Sequence, residues 1–490
     1  MRLRFVLAIT AHVVFFVGLA MMLPLAFALY YGDGDAVPIA WAMGITIAVS
    51  GAVSLVVRAP KEDLNRREGM MIATMIWLMA GIFGALPFFI GEMLGPMNLE
   101  NLINCVFESV SGFTTTGSSV LGASVKIESV GHGLLMWRGL TQWLGGMGII
   151  VLAIAILPLL GVGGMQLFRA EASGHLQEKL RPRIRETAIA LWAVYVVMSV
   201  IETTLLMFGG MSLYEALCHT FTTLSTGGFS TRDASIAAFK STYIDVVIII
   251  FMFLGAANFS LHYRAWTRSL RSYFRDSQFR YYVAFTVGGT IFVTAVVWFG
   301  GNYSSILETL RQGAFQTVSI MTTTGFVTAD YDKWPFAAQL ALLIFMFMGG
   351  CAGSTTGAIK TVRIVLLFKY AYREIVRLVH PKVFASVKLG GRVIHKTVLE
   401  SVAAFFIFYI LIFVASSLIV MADGMDLVGG LSAVAATLGN IGPGLASVGP
   451  THNYFAVPLL SKCVLTVCMI VGRLEVFTVL VLLTPSFWKK

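Results

Sequence analysis

The sequence predicts an all-α polytopic membrane protein: two N-terminal helices followed by four span–pore-loop–span repeats in a pseudo-four-fold arrangement around one pore. Three observations predict it. Of 490 residues, 57% are apolar and 12% charged, with a mean hydropathy of +0.82; a soluble domain carries about twice that charged share. Apolar blocks of twenty or more residues recur along the whole length, enough to cross about 30 Å of hydrocarbon. Four short segments rich in Thr, Ser or Gly, at 111–118, 222–229, 319–326 and 437–444, lie between those blocks. Long apolar blocks exclude an outer-membrane barrel, whose strands alternate over about ten residues.

The net charge of +10 sits in short connections between apolar blocks. Positive-inside topology accounts for that placement without a nucleic-acid partner. The five cysteines (Cys105, Cys218, Cys351, Cys463 and Cys468) form no CxxC pair and lie in or near apolar segments. They read as small buried hydrophobes, not as metal ligands or disulfides. The apolar run after Met1-Arg2-Leu3-Arg4 is too long for a signal-peptide core of about 7–15 residues and reads as a span.

Taken in order, the apolar blocks fall near 5–30, 37–57, 70–94, 134–165, 187–209, 242–262, 281–300, 337–368, 398–422 and 455–484. They predict ten spans. A moderately apolar stretch too short to cross precedes each of the four special segments. The chain therefore divides into a preface at 1–68 and repeats at 69–170, 171–275, 276–390 and 391–490. The short stretches carry helix starts: Ser212 with Glu215 and Ser305 with Glu308 have the spacing of capping boxes. Asn98 and Asp426 are the expected N-caps of the other two. Lys and Arg concentrate in the connections at 58–67, 169–185, 264–280 and 369–396, and the connections holding the special segments carry few. The basic side is cytoplasmic by that rule, so both termini face the cytoplasm and the half-length helices enter from outside.

A half-helix entering from outside turns its C-terminal carbonyls toward the membrane centre, with roughly half a negative charge there. Four of them favour a cation on a shared axis. Irregular backbone at that depth must be packed in protein or line water, and inward carbonyls can replace a cation's hydration shell. The expected filter residues are Thr114, Thr115, Thr116 and Gly117; Ser225, Thr226, Gly227 and Gly228; Thr322, Thr323, Thr324 and Gly325; and Gly439, Asn440, Ile441 and Gly442. None is a carboxylate, which points to a monovalent ion rather than calcium. Glu108, Asp233 and Asp330 read as outer-mouth or packing residues.

On these loops and this layout the chain resembles the superfamily of K⁺ transporters that includes TrkH, TrkG, KtrB and HKT. The preface of two helices is most similar to the TrkH and TrkG branch, and the resemblance covers essentially the whole chain. It implies K⁺ bound at the filter residues and K⁺ uptake across the bacterial cytoplasmic (inner) membrane by channel-like conduction. In some HKT proteins a serine at the first filter glycine goes with Na⁺; Gly117 implies K⁺. A Na⁺-coupled or Na⁺-permeable transporter of the same superfamily is the alternative. The resemblance further implies a homodimer and a cytosolic nucleotide-binding regulatory ring (TrkA-like). This sequence has no nucleotide motif of its own, and nothing in it resembles a catalytic pair such as Ser–His or HExxH, so no enzyme activity is expected.

Block 337–368 is too long and too broken for one straight helix. Its middle holds Gly349, Gly350, Gly353, Ser354, Thr355, Thr356, Gly357 and Lys360. The chain contains no Gly-Lys pair, which excludes a phosphate-binding P-loop. A hinge is the plain reading; the resemblance implies an intramembrane gating loop below the filter. Arg473 lies mid-way along the last block, where a charge faces a cavity or a partner. Glu475, two residues on, points to a different face and needs another partner. The resemblance makes Arg473 an electrostatic barrier in contact with the gating loop. Lys462, about 16 Å up the same helix, is expected to snorkel to the outer interface. Glu202, Asn258 and His262 read as packing or interface groups.

Overall fold

The structure is a computed structural model and describes residues 2–57, 65–122, 125–155, 180–381 and 386–489. Among them, six helices are long and apolar enough to cross a membrane, or eight if each of two bent pairs counts as one span. Leu3–Tyr31 and Ala36–Val56 form the preface, and the first packs on the second and on Arg66–Gly84. The fourth block appears as His132–Ala155; its expected continuation to 165 lies outside the described residues. So do Arg58, Lys61, Arg169 and Lys179, part of the basic pattern that set the expected orientation.

The four half-length helices are Leu99–Phe113, Leu213–Leu224, Ile306–Met321 and Leu427–Leu438. Asn98 accepts from Asn101 N at 2.8 Å, Ser212 from Glu215 N at 3.2 Å, and Asp426 from Gly429 N at 2.8 Å, as expected of N-caps. The capping box expected at Ser305 does not form, since the Ser305 side chain makes no cap bond. That first turn is exposed through Glu308, so water can serve its free N–H groups.

Three long blocks are broken. Phe336–Phe345 and Thr361–Val379 flank an irregular stretch at 346–360, as the run of glycines predicts. Within it, Met348–Gly349 pairs in parallel with Ile359–Lys360. The other two breaks correct the single spans expected at 242–262 and 455–484. Thr242–Gly255 and Phe259–Thr267 meet at 100°, and Leu459–Arg473 meets Phe477–Leu483 at 108°. The first bend exists because other segments take over its backbone groups. Ala256 O accepts from Cys351 N at 2.8 Å, Phe259 N donates to Gly353 O at 3.1 Å, and Asn258 caps the new helix through Ser260 N at 2.8 Å. The second is locked by Glu475 and Val476 at φ +59° and +57°, a conformation costly for a β-branched residue.

Apolar side chains fill the core and also cover the outside. Large apolar side chains such as Phe16, Leu55, Phe299 and Leu418 face outward on the long helices. The buried residues of the half-helices include Asn104, Thr220, Thr223, Gln316, Thr317 and Thr437. An apolar exterior suits a hydrocarbon surround, in which polar groups must find partners inside the protein.

Candidate cation pathway

The four special segments adopt one backbone. Each half-helix ends in a residue with helical angles: Thr114, Ser225, Thr322 and Gly439. The next residue is left-handed in every repeat: Thr115 at φ +52°, Thr226 at +56°, Thr323 at +55° and Asn440 at +54°. Two residues later come Gly117 at +82°, Gly228 at +77°, Gly325 at +82° and Gly442 at +106°. Between them, the N–H of Thr116, Gly227, Thr324 and Ile441 returns to Ser111 O, Thr222 O, Ser319 O and Ala436 O at 2.8–2.9 Å. This is a Schellman-type helix end, and it satisfies the last-turn carbonyls while reversing the chain. A left-handed Thr or Asn costs on the order of 1–3 kcal/mol and persists only where the surroundings over-determine it.

The glycines show how the loops meet. A Cβ at Gly117 would collide with Gly227 O, one at Gly228 with Thr324 O, and one at Gly325 with Ile441 O; one at Gly442 would lie 2.9 Å from Thr116 O. Each loop thus presses its glycine on the carbonyl of the next, and the contacts close in the order first, second, third, fourth, first. Side chains tie the ring: Asn440 Nδ2 donates to Thr116 Oγ1 at 2.9 Å, and Ser118 Oγ and Tyr454 OH donate to Gly442 O at 3.0 and 2.9 Å. Thr114 and Thr116 share a 2.7 Å hydroxyl contact, and Thr322 and Thr324 one of 2.8 Å. All sixteen expected filter residues except Gly117 and Gly228 are buried, and those two are half-buried. Among the described residues no group of three or more His, Cys, Asp or Glu could hold a metal. The oxygens in the ring contacts named above are carbonyls and hydroxyls.

The stretch at 346–360 lies directly against this ring. Thr355 Oγ1 donates to Leu224 O at 3.0 Å and Gly255 O at 3.1 Å, with the Thr226 hydroxyl 3.3 Å away. Gly357 N donates to Thr323 Oγ1 at 2.8 Å, and a Cβ at Gly357 would strike Gly439 O and sit 2.7 Å from Asn440 Cβ. The stretch is therefore bonded to or packed on three of the four left-handed residues. Arg473 Nη1 donates to Thr355 O at 2.5 Å and Nη2 to Gly145 O at 3.4 Å. The stretch also braces itself. Ser354 Oγ donates to Cys351 O at 2.6 Å and meets Thr356 Oγ1 at 2.9 Å, and Lys360 Nζ donates to Thr356 O. Gly353, at φ +76°, turns beside Asn258, and a Cβ at Gly350 would strike Ala256 O. A Cβ at Gly349 would strike Gly357 O.

Two expectations change in detail. Arg473 ends its helix instead of lying mid-way along one, because the block bends there. Lys462 does not snorkel: it is 1% exposed, with Nζ donating to Asn104 Oδ1 at 2.7 Å and Phe455 O at 2.8 Å. An acceptor on the first half-helix is nearer than water, so the ammonium turns inward. Glu475 finds the distant partner it needed, Arg363, at 2.6 Å, and the Arg363 guanidinium lies over Phe405.

Sequence reasoning passed over a buried clamp behind the first two loops. Glu108 Oε1 accepts from Arg138 Nε at 2.6 Å, and the side chains are 0% and 3% exposed. Glu108 also accepts from Ser119 Oγ at 3.0 Å and Val120 N at 2.9 Å, downstream of the first filter glycine. Arg138 Nη1 donates to Ser230 O at 2.8 Å and its guanidinium lies 3.6 Å from the Phe229 ring centroid, downstream of the second. The signal was present: an arginine inside the fourth apolar block is an intramembrane charge that needs a partner. Outside the spans, Asp426 is held below the usual carboxylate range by the Ser447 hydroxyl and then the Gly429 N–H.

The TrkH family, described as cation transport protein, matches residues 38–490. The chain belongs to that family. It is 43% identical over 492 residues to the Trk system potassium uptake protein TrkH of Escherichia coli (strain K12), with 100% of both chains covered. It is 34% identical to the Trk system potassium uptake protein TrkG of the same organism, covering 100% of this chain and 99% of TrkG. The crystal structure of the potassium transporter TrkH from Vibrio parahaemolyticus superimposes with a TM-score of 0.91, at 37% identity and full coverage of both chains. Family and fold are thus those the loop pattern implied, and the chain is a membrane transport protein with several apolar spans.

Proposed function

We propose that this chain is the K⁺-translocating subunit of a Trk-type uptake system in the bacterial cytoplasmic membrane, conducting through the ring of four loops. The closed ring carries the reading: four half-helices end in the same left-handed turn, and each filter glycine abuts a carbonyl of the next loop. Such a ring offers oxygens at fixed spacing to a dehydrated cation and no fixed negative charge to trap it. The names of the full-length relatives support K⁺ as the ion.

The stretch at 346–360 acts as a gate. It occupies the space under the ring, and Arg473 pins it through Thr355 O. A cation leaving the filter inward must first have this stretch displaced. The bonds holding it include side-chain bonds from Arg473 and Thr355 and backbone bonds from Cys351 N to Ala256 O and from Phe259 N to Gly353 O. Opening needs a partner's binding energy to offset them. A homodimer with a cytosolic nucleotide-binding ring of regulatory subunits would supply it, with both termini on the cytoplasmic side.

The test is growth of a K⁺-uptake-deficient strain on low K⁺ with and without this chain, together with Rb⁺ and Na⁺ flux in proteoliposomes. Rescue and a preference for Rb⁺ are expected. Na⁺ flux exceeding Rb⁺ flux would replace this reading with the Na⁺-permeable one.

A further inference from the structure

Gln142 sits on the second span of the first repeat, is fully buried, and reaches the filter loop of the second repeat. Its Nε2 donates to Gly227 O at 2.8 Å, and its Oε1 accepts from Phe229 N at 3.1 Å. The two partners fix the amide's orientation, since a carbonyl needs a donor and an N–H an acceptor. Gly227 O is the carbonyl against which Gly117 packs in the ring. One side chain therefore grips the loop on both sides of Gly228.

Two departures from four-fold symmetry coincide here. The residue before the filter glycine is Thr116, Thr324 or Ile441 in the other loops, but Gly227 in this one. Gly227 does not have a left-handed φ, so its backbone does not call for glycine. What excludes a side chain is Gln142: a Cβ at Gly227 would overlap its amide group. The second departure is Gln142 itself. Glycines of the second spans meet the last carbonyl of their own half-helix in three repeats: Gly145 at Phe113 O, Gly255 at Leu224 O and Gly472 at Leu438 O. Three residues before each lie Gln142, Met252 and Met469. Of these three positions, the one that carries an amide is the one facing the loop without a side chain.

We propose that Gln142 is a specificity-determining positioning residue, whose amide replaces the side chain missing at Gly227 and holds the Gly227 carbonyl in the ring. At this position the other loops carry a side chain that is itself held: Thr116 by Thr114 and Asn440, Thr324 by Thr322, and Ile441 by apolar packing. The second loop is braced from outside, by an element of the neighbouring repeat. A carbonyl freed from this brace tilts or draws closer to a smaller ion, and discrimination between K⁺ and Na⁺ falls before conduction does. This inference rests on the K⁺-conducting reading of the ring.

The experiment measures Rb⁺ and Na⁺ flux of the purified full chain in proteoliposomes for four proteins: wild type, Gln142→Met, Gly227→Ala, and Gln142→Ala combined with Gly227→Ala. Gln142→Met keeps the volume and deletes both hydrogen bonds; the expected result is an Rb⁺ over Na⁺ ratio lowered about tenfold, as one hydrogen bond's worth predicts, with Rb⁺ flux retained. Gly227→Ala alone is expected to lose most Rb⁺ flux, and the double variant to regain it, because the smaller residue at 142 leaves room for the new methyl. A wild-type Rb⁺ over Na⁺ ratio in Gln142→Met overturns the proposal. So does full activity of Gly227→Ala, a readout that stands even where Gln142→Met does not fold. A wild type that passes neither ion preferentially would instead remove the proposed function.

Discussion

Replacing Glu108 by alanine removes three acceptor contacts at once: from Arg138 Nε at 2.6 Å, Ser119 Oγ at 3.0 Å and Val120 N at 2.9 Å. It also leaves the Arg138 guanidinium, 3% exposed, with no counter-charge. Breaking one side of a buried ion pair costs about 3–5 kcal/mol, most of it the uncompensated charge. Arg138 keeps Ser230 O and the Phe229 ring, which places the expected loss toward the lower end, about 3 kcal/mol. Removing both charges, in Glu108→Ala with Arg138→Met, leaves no buried charge, so the double variant should be more stable than Glu108→Ala alone. The assay is thermal unfolding of the purified protein in detergent, paired with Rb⁺ flux in liposomes. Glu108→Ala should lower the melting temperature and weaken Rb⁺ over Na⁺ preference, since both loops lose their anchor. Strictly additive effects of the two single variants would refute the clamp, because contacting residues are expected to couple by about 0.5–3 kcal/mol.

Arg473→Ala removes the donor to Thr355 O and should raise Rb⁺ flux measured without any regulatory partner; an unchanged basal flux would count against the pinning role. Lys462→Met, nearly isosteric, leaves Asn104 Oδ1 without its donor and should destabilise the fold by about 1–3 kcal/mol; a snorkelling lysine would show almost no change. Asp426 has a carboxyl pKa lowered in the fold by Ser447 and Gly429 N, so its stabilising contribution is fully present above the unfolded value of about 3.9 and is lost as pH falls through the lowered one. The stability gap between wild type and Asp426→Ala should therefore be widest above about pH 4 and close in stronger acid, as read from melting temperatures across pH.

The helix caps and the turns that end the four half-helices were legible because their signals are local. Asn98, Ser212 and Asp426 cap within three residues, and the left-handed turns at 115, 226, 323 and 440 each close on carbonyls of the same half-helix. The break at 346–360 was legible for the same reason, since its glycines and hydroxyls weaken a helix by their own chemistry. Ser305 failed because water can replace a cap on an exposed turn. The bends after Gly255 and Arg473 were not legible, because both stretches are apolar enough for a straight span. The backbone groups of the first find partners at Cys351 and Gly353, in another segment that no hydropathy pattern records, and those of the second close on Ile470, Val471 and Gly472 of its own last turn.

The sequence by itself determined the apolar spans and the residue types of the four loops. Those follow from segment length against bilayer thickness and from the turn chemistry of Gly, Thr and Asn. Tertiary structure alone decided the order in which the loops close, the partners of Glu108, Lys462 and Glu475, and the brace from Gln142 to Gly227. Buried polar groups in an apolar surround must be paired, but which group pairs with which is set by packing of helices far apart in the chain.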